Sequence, residues 1–280
     1  MRLLALLLLL FCSIHPMEEK PFVIVIPSYR NKDWYKKNLD SVFNQNYSNY
    51  RVIYLDDASP DDTGKLVEKY IKDKNQENKV TLIKNTKRVG ALANLYTGVH
   101  LCKPNEIVCT LDGDDWFSHD KVLQRLNKEY KDPEVWLTYG QHEQWFGDDK
   151  KIYPGGAELF PKEILQNKSF RQYKWVASQL RTFYAGLFHL VKIEDLLIDG
   201  EFLPMAYDYA LMYPMLEMAC DHIRFIPDVL YVYNLVTPIN DVKVNYQLQQ
   251  KCCREIKLNK KPYKKLETAS FLKNEKKLAR

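Results

Sequence analysis

The sequence predicts an α/β fold in which helices cover both faces of a mostly parallel sheet. In the first half of the chain, short apolar runs alternate with stretches of helical periodicity. The runs are continuously apolar, as expected for strands that are buried on both faces of a parallel sheet. Polar residues and proline then end the runs, at Pro27-Ser28 and again at Asp56-Asp57. Strands that alternate with helices in this way are typical of α/β proteins.

Four strands and three helices are predicted in this first half. The strands are rich in Val, Ile and Leu, and they are expected over residues 22–26, 52–55, 80–83 and 107–111. The helices between them are expected over residues 33–43, 60–72 and 90–101. Pro60 suits the first turn of the second helix, where a backbone N–H has no partner within the helix.

The second half of the chain has a less regular pattern. Strands are expected over residues 136–139 and 182–190, and a helix over residues 206–218 with a kink at Pro214. Residues 225–233 resemble two short strands joined by a turn at Pro227-Asp228. Since there is no repeat and no low-complexity linker, one domain is expected over residues 20–245.

The charge of the chain is concentrated at its C-terminal end. Residues 251–280 hold eleven basic and three acidic residues, whereas the whole chain of 280 residues has a net charge of +5. Residues 246–280 are therefore expected to form a basic tail or surface helix that can contact an anionic membrane surface. No pattern of interleaved aromatic and basic residues predicts nucleic-acid binding.

The N-terminal segment is expected to be a signal peptide or a short membrane anchor, over residues 1–17. Arg2 precedes an apolar run over residues 3–11, whose length suits a signal-peptide core better than a full membrane span. Six cysteines follow no metal-binding spacing, and Cys102 and Cys109 fit either a disulfide or buried thiols.

Asp112, Asp114 and Asp115 directly follow the fourth predicted strand. Like charges at one strand end repel each other unless a cation lies among them. Carboxylates at this density suit Mg²⁺ or Mn²⁺, and the alternatives are a solvated acidic loop or a structural Ca²⁺ loop. Because Pro27-Ser28 and Asp56-Asp57 also lie at carboxyl ends of strands, all of these residues are expected to face one ligand-binding crevice.

Several segments together resemble the family-2 glycosyltransferases of the GT-A fold. They are Val-Ile-Val-Ile-Pro-Ser-Tyr at 23–29, Ser-Val-Phe-Asn-Gln-Asn-Tyr at 41–47, Tyr-Leu-Asp-Asp-Ala-Ser at 54–59, Val-Gly-Ala-Leu-Ala-Asn at 89–94 and Leu-Asp-Gly-Asp-Asp at 111–115. The resemblance covers residues 21–120 well and residues 200–235 loosely. It implies a nucleotide-sugar donor and a GT-A type fold.

The resemblance also implies roles for the strand-end residues. Asp57 would contact the nucleotide base and Asp56 would support its loop, while Pro27, Ser28 and Tyr29 would flank the base and ribose. Asp112 would serve both the nucleotide and a Mn²⁺ or Mg²⁺ ion. Asp114 is the first choice for direct metal contact, and Asp115 is the alternative ligand. Such an ion would bridge the donor's diphosphate.

The catalytic base is expected to be Asp208. In an inverting transfer a carboxylate must accept the proton of the acceptor hydroxyl. The segment Pro-Met-Ala-Tyr-Asp-Tyr-Ala-Leu at 204–211 is similar to the family's helix start, although Tyr207 replaces its usual acidic residue. The alternative is that Asp208 is only an N-cap. Asp195, Asp199 and Glu201 are competing carboxylates.

Two departures from the family pattern refine these expectations. The chain lacks the Gln-x-x-Arg-Trp motif and membrane helices of processive members, so one sugar per encounter is expected. It also lacks a His after residue 233, for which Asn234, Asn240 or Asp241 could substitute, with His222 a weaker candidate. The residues considered for an acceptor site, which are equally explained as core residues, are Trp145, Trp175, Arg181 and Tyr184.

The predicted function is an inverting, non-processive transfer of a sugar, with a UDP-sugar as first choice of donor. The acceptor would be a hydroxyl on a glycan, lipid or protein. The alternative is a non-catalytic module that binds nucleotide sugars or glycans. A nucleotidyltransferase is disfavoured because no Gly-rich loop follows the first strand. The leader favours the ER or Golgi lumen, or a membrane-attached form.

Overall fold

A computed structural model describes residues 18–147, 153–238 and 241–273 of the chain. The predicted signal peptide or anchor over residues 1–17 lies outside the described residues. None of the helices in the described ranges is long and apolar enough to cross a membrane.

The first half forms alternating strands and helices, as the sequence predicts. The strands are β1 (Phe22–Ser28), β2 (Tyr50–Asp56), β3 (Val80–Lys84) and β4 (Ile107–Thr110). The helices are α1 (Tyr35–Phe43), α2 (Thr63–Asp73) and α3 (Ala91–His100). Gly98 allows α3 to lie close to the sheet, because a Cβ atom there would come within 2.5 Å of Val25 Cγ1.

The second half adds shorter elements. Its strands are β5 (Trp116–Phe117), β6 (Leu137–Trp145), β7 (Tyr153–Pro154), β8 (Thr182–Tyr184), β9 (Leu197–Ile198), β10 (Glu201–Phe202) and β11 (Ile223–Asn234). Its helices are α4 (Val122–Glu129), α5 (Lys162–Asn167), α6 (Ala185–Phe188), α7 (Tyr207–Ala219) and α8 (Asp241–Arg254), the last interrupted at Asn245.

The main sheet has nine strands in the order β3-β2-β1-β4-β8-β6-β11-β5, with β7 beside β6. Parallel pairing joins β1 to β2 and β4, β2 to β3, and β6 to β11. The antiparallel pairs in this sheet span only two or three residues each. The carboxyl ends of β1, β2 and β4 therefore meet at one edge of a mostly parallel sheet, which confirms the predicted fold class.

Two predictions for the second half were wrong in detail. The strand expected over residues 182–190 lasts only three residues before the chain turns into α6. This whole run from Thr182 to His189 is buried, and a fully buried helix and a fully buried strand have the same apolar pattern. The turn expected at Pro227-Asp228 is an irregularity within β11, whose register shifts between Ile226 and Val229. Proline cannot donate to the ladder, so a bulge suits it.

The segment predicted to be a basic tail packs onto the domain as far as it is described. Cys252, Ile256 and Phe271 are buried in the hydrophobic core. Beside them, the buried Arg171 guanidinium donates to the carbonyl oxygens of Ile256 and Lys260. Cys102 and Cys109 are buried free thiols, so the disulfide considered for them is not formed.

Candidate active site

A cavity of about 410 Å³ opens where β1, β2 and β4 end and α7 begins. Its volume falls in the range of small-molecule binding pockets, roughly 300–1,000 Å³. Four segments that are distant in sequence line it, namely Pro27–Tyr29, residues 88–91, Asp112–Asp114 and residues 204–208. The predicted crevice is thus present as a single cavity, and most of the predicted site residues line it.

The strand-end residues Pro27, Ser28 and Tyr29 line one side of this cavity. Ser28 is held in place because its Oγ accepts hydrogen bonds from Tyr54 (2.8 Å) and from the Asn31 side chain (3.0 Å). Gly113 approaches Ser28 so closely that a Cβ atom would come within 2.7 Å of its side chain. Contact between the ends of β1 and β4 therefore requires glycine between the two aspartates.

Asp57 lines the cavity, whereas Asp56 lies below it. The Asp57 carboxylate accepts hydrogen bonds from the backbone N–H groups of Val89 (2.9 Å) and Gly90 (2.8 Å) and from the Asn85 side chain (2.9 Å). Burial alone would raise the pKa of Asp57, but these hydrogen bonds together hold it below its usual range. Asp57 is therefore ionised at neutral pH and fixes the turn before α3.

That turn carries Arg88, a cavity residue that sequence reasoning missed. Its guanidinium carbon lies 4.1 Å from the centre of the Tyr29 ring, a cation–π distance. Arg88 is exposed and places a positive charge beside the strand-end residues. Nothing in the local sequence around residue 88 distinguishes it from an ordinary loop arginine.

Asp112 lies at the centre of the cavity and is hydrogen-bonded to three side chains. The Tyr207 hydroxyl lies 2.6 and 2.7 Å from its two carboxylate oxygens, and the Gln179 amide and Tyr231 hydroxyl donate more weakly, at 3.3 and 3.4 Å. Burial nevertheless raises the pKa of Asp112. Tyr207, which stands where the family usually has an acidic residue, thus connects the start of α7 to Asp112.

Asp114 also lines the cavity, and its carboxylate accepts a hydrogen bond from Thr237. Burial and the neighbouring charge of Asp112 raise the pKa of Asp114 to about 6. The Asn234 amide donates to the backbone carbonyl of Asp114 at 3.1 Å, which anchors this loop to β11. Thr237 and Asn234 come from the stretch in which the family's histidine is missing.

Asp115 does not line the cavity, and it faces β11 instead. Its carboxylate accepts hydrogen bonds from the Tyr231 hydroxyl and from the backbone N–H of Asn234. Burial, together with Asp114 and Asp112, raises its pKa well above the usual range. Both oxygens are therefore engaged in holding the loop after β4 against β11, and Asp115 is not among the cavity-lining residues.

The residues that face the cavity suit a hard divalent ion that completes its coordination with substrate oxygens. Among the described residues, no group of three or more His, Cys, Asp or Glu side chains could hold a metal by itself. Mg²⁺ commonly binds through only one or two carboxylates together with substrate phosphates. Asp114 and Asp112 offer such a pair, because both line the cavity. Burial raises the pKa of both carboxyls.

Asp208 lies in the first turn of α7 and lines the cavity. The N-cap of this helix is Ala206, so the interpretation of Asp208 as an N-cap does not apply. Burial raises the pKa of Asp208, although nearby Arg181 and the backbone N–H groups of residues 208 and 209 oppose the rise. Arg181 is itself buried, and its Nη2 lies 3.5 Å from an Asp208 oxygen.

None of the competing carboxylates Asp195, Asp199 and Glu201 is among the cavity-lining residues. Of the four side chains considered for an acceptor site, Trp175 and Arg181 line the cavity. Trp145 packs outside it, against Trp34 and Trp116, and Tyr184 packs against Tyr130 and Phe271.

A second residue that sequence reasoning missed is His142 on β6, which also lines the cavity. Burial and the positive charge of Arg181 lower the pKa of His142 to about 4, so its ring is neutral at physiological pH. His222, the candidate taken from sequence, instead stacks on Trp136 at 3.6 Å, just before β11 begins. Asn240 and the side chain of Asp241 lie outside the described residues.

Comparison with known proteins connects this geometry to one family. The family model described as Glycosyl transferase family 2 matches residues 23–191, which is more than half of the chain. The amylovoran biosynthesis glycosyltransferase AmsB of Erwinia amylovora is 31% identical over 111 residues, covering 40% of this chain and 36% of AmsB. Glycosyltransferase GlyG of Streptococcus pneumoniae is 21% identical over 217 residues, covering 75% of this chain and 69% of GlyG.

Solved structures share the fold. S. aureus TarS residues 1–349, in complex with UDP-GlcNAc, gives a TM-score of 0.60 at 15% identity, covering 84% of this chain and 65% of that chain. The mannosyltransferase PcManGT from Pyrobaculum calidifontis, in complex with GDP-Man and Mn²⁺, gives a TM-score of 0.53 at 20% identity, covering 78% of this chain and 58% of that chain. These similarities confirm the predicted GT-A fold.

The chain spans only part of several of these proteins, about a third of AmsB for example. The relatives named above are bacterial. They therefore give no support to the prediction of an ER or Golgi lumen.

Proposed function

Because the chain belongs to glycosyl transferase family 2, we propose that it is an inverting, non-processive glycosyltransferase. It takes a sugar from a nucleoside-diphosphate donor, with a UDP-sugar as first choice, and transfers it to a hydroxyl of a glycan, lipid or protein. The observation that carries this proposal is that Asp208, Asp114 and Pro27–Tyr29 line the same cavity. The complex of TarS with UDP-GlcNAc supports the choice of donor.

The donor nucleotide binds along the ends of β1 and β2. Pro27, Ser28 and Tyr29 flank its base and ribose, and Asp57 contacts the base while holding the turn that carries Arg88. Arg88 is exposed beside this position, so its charge is available to the donor's phosphates. Asp56 supports the loop from below.

Asp114 and Asp112 would hold a divalent ion, Mn²⁺ or Mg²⁺, with Asp114 as the direct ligand. When bound, the ion supplies Lewis-acid stabilisation of the negative charge on the departing diphosphate. Asp115 contributes indirectly, because it fixes the loop of Asp114 to β11. The PcManGT complex, which contains GDP-Man and Mn²⁺, supports a divalent ion in this fold.

Asp208 is the general base. Its carboxylate accepts the proton of the acceptor hydroxyl as that oxygen forms a bond to the anomeric carbon. The bond from this carbon to the donor's phosphate oxygen breaks, and its electron pair leaves with the nucleoside diphosphate. Since attack comes from the side opposite the leaving group, the anomeric configuration is inverted.

The enzyme is attached to a membrane, and it meets its acceptor at the membrane surface. The basic residues of the C-terminal segment support this proposal because they favour contact with an anionic membrane surface.

The proposal is tested by the release of nucleoside diphosphate from UDP-, GDP- and dTDP-sugars, with Mn²⁺ or with EDTA. We expect Asp114→Asn to abolish release while the protein stays folded, because the direct metal ligand is lost. Asp120→Asn is the matched control, since Asp120 is an exposed carboxylate of the same loop region outside the cavity. Full turnover in EDTA contradicts the metal role. Nucleotide binding without any release indicates a non-catalytic binding module instead.

A further inference from the structure

The end of the cavity beside Asp208 has a wall of aromatic and amide side chains. Trp175, Ser178 and Gln179 come from the chain before β8, and Gln249 comes from α8. We propose that this end binds a pyranose ring of the acceptor, packed against the Trp175 ring. The inference rests on the proposed function and names the chemical class of its acceptor.

Trp175 is held rigidly next to the candidate base. Its ring stacks on Tyr209 with centroids 4.4 Å apart and 16° between planes, and Tyr213 meets it edge-on at 5.3 Å. Tyr209 directly follows Asp208 in α7. The Trp175 side chain is only partly buried, and its remaining surface forms part of the cavity wall. An apolar ring surface is thereby fixed close to the carboxylate that accepts the hydroxyl proton.

Polar groups suited to sugar hydroxyls line the same cavity as this ring. The Gln179 side chain is buried and donates to Asp112, but its Oε1 has no hydrogen-bond partner among the described residues. The Ser178 hydroxyl lies 3.3 Å from His142 Nδ1, and Gln249 adds an amide from α8. A few polar groups around an aromatic surface are the usual means of orienting a ligand. A pyranose matches them, because it combines an apolar C–H face with a rim of hydroxyls.

The charges at this end favour a neutral ring over a phosphate or carboxylate. Arg181 is within ion-pair distance of Asp208, and the other polar side chains are neutral amides, a hydroxyl and a neutral imidazole. Lys257 is directed toward the Tyr209 ring, with its Nζ 5.3 Å from the ring centre. An anionic group here would be repelled by the Asp208 carboxylate, with which the Arg181 guanidinium is already paired.

The experiment uses methyl α- and β-pyranosides of glucose, galactose, mannose and N-acetylglucosamine as probes of the full chain. Saturation-transfer NMR measures their binding in the presence of UDP and Mg²⁺, which is diamagnetic and does not broaden the ligand signals. We expect at least one pyranoside to bind, Trp175→Ala to weaken it at least about tenfold, and Trp175→Phe to weaken it less, because an aromatic face remains. Trp145→Ala is the matched control and should leave binding unchanged, since Trp145 packs outside the cavity.

Donor hydrolysis by water, measured without acceptor, separates an acceptor site from a donor site. Trp175→Ala should leave the donor KM for hydrolysis unchanged, and a raised donor KM would overturn the proposal by placing Trp175 against the donor sugar. Pyranoside binding that is unaffected by Trp175→Ala also overturns it, as does wild-type protein that binds UDP but none of the pyranosides. Failure of the proposed function is distinguishable, because the wild-type protein would then release no nucleotide from any donor.

Discussion

Asp208 is a carboxylate whose surroundings both oppose and support its ionisation. Burial favours the neutral acid, while Arg181 and the first backbone N–H groups of α7 favour the anion. The net result is a pKa above the usual value for aspartate. A raised pKa makes the carboxylate a stronger base, provided that the pH is high enough to ionise it.

Asp208→Asn is therefore expected to lower the transfer rate by about 10²–10⁴. The amide keeps the side chain's shape but cannot take a proton. In the wild-type enzyme, kcat should fall as the pH drops through the raised pKa of Asp208, because protonation removes the base. The part of this acid limb that is due to Asp208 should be absent from the residual activity of Asp208→Asn. Any limb that remains is expected from Asp114, whose pKa is raised to about 6, and UDP affinity measured by calorimetry should be unchanged.

Glu201→Gln provides the control for this prediction, because Glu201 is an exposed carboxylate that does not line the cavity. It should retain wild-type kcat and the wild-type pH profile. If Asp208→Asn retained near-wild-type kcat, the assignment of the base would be wrong.

Asp57→Ala should raise the donor KM more than it lowers kcat. The substitution removes the acceptor of three hydrogen bonds that hold the turn between Asn85 and Gly90, and so also releases Arg88. Both effects act on the nucleotide, away from the reacting carbon. UDP calorimetry measures the loss, and Asp33→Ala, an exposed carboxylate before α1, is the control. Unchanged UDP affinity would show that Asp57 does not serve the donor.

The aspartates at the ends of β2 and β4 were predictable because parallel strands end at one edge of a sheet, whereas Asp208 was found through the resemblance of its helix start to the family's. Arg88, His142 and Gln249 carried no such signal. They reach the cavity through a turn that Asp57 holds, a long central strand and a C-terminal helix. Their positions depend on tertiary packing that no local sequence pattern records.

At the scale of elements, α7 connects the candidate site to the C-terminal segment. Asp208 lies in its first turn, and Glu217 lies in its last turn, paired with Arg171 at 2.6 Å. The Glu217 carboxylate also accepts the backbone N–H of Tyr263 at 2.8 Å. Both charged side chains are almost completely buried, at 3% and 1% exposure, so each depends on the other for compensation.

Glu217→Ala should destabilise the protein by about 3–5 kcal/mol, because it leaves the buried charge of Arg171 unpaired. Denaturant unfolding measures the change. Asp73→Ala, which breaks the exposed pair with Lys69, should cost no more than about 1 kcal/mol. If the two substitutions lowered the free energy of unfolding equally, the Arg171–Glu217 pair would not anchor the C-terminal segment.

The elements of the first half agree with the sequence prediction because strand and helix periods are clearly separated there. In the second half, buried runs of either type are continuously apolar, so β8 and α6 could not be distinguished. Pro214 lies inside α7, which continues through it to Ala219. The low helix propensity of Pro214 is overridden by packing, because every residue from Ala210 to Ala219 is buried.

For the molecule as a whole, the C-terminal segment is part of both the core and the cavity. Gln249 lines the proposed acceptor end, while Cys252, Ile256 and Phe271 pack into the core. Phe271 also packs against the rings of Trp136 and Tyr184, and its carbonyl lies close to Gly186. A boundary at residue 245, as the charge distribution alone suggests, would cut through these contacts.

Truncation after residue 245 should therefore strongly destabilise the protein. It exposes the surface that Ile256 and Phe271 cover, and losing a large buried side chain typically costs about 2–5 kcal/mol. Leu258→Ala is the control, because Leu258 is an exposed side chain of the same segment and its substitution should leave Tm nearly unchanged. Thermal unfolding with and without UDP measures both stability and donor binding. If the chain ending at residue 245 kept the wild-type Tm and UDP affinity, the basic segment would be a separate appendage. If only Tm fell, the segment would support the fold without contributing to the donor site. We expect this result, because the residues proposed to contact the nucleotide, Pro27–Tyr29 and Asp57, all lie before residue 245.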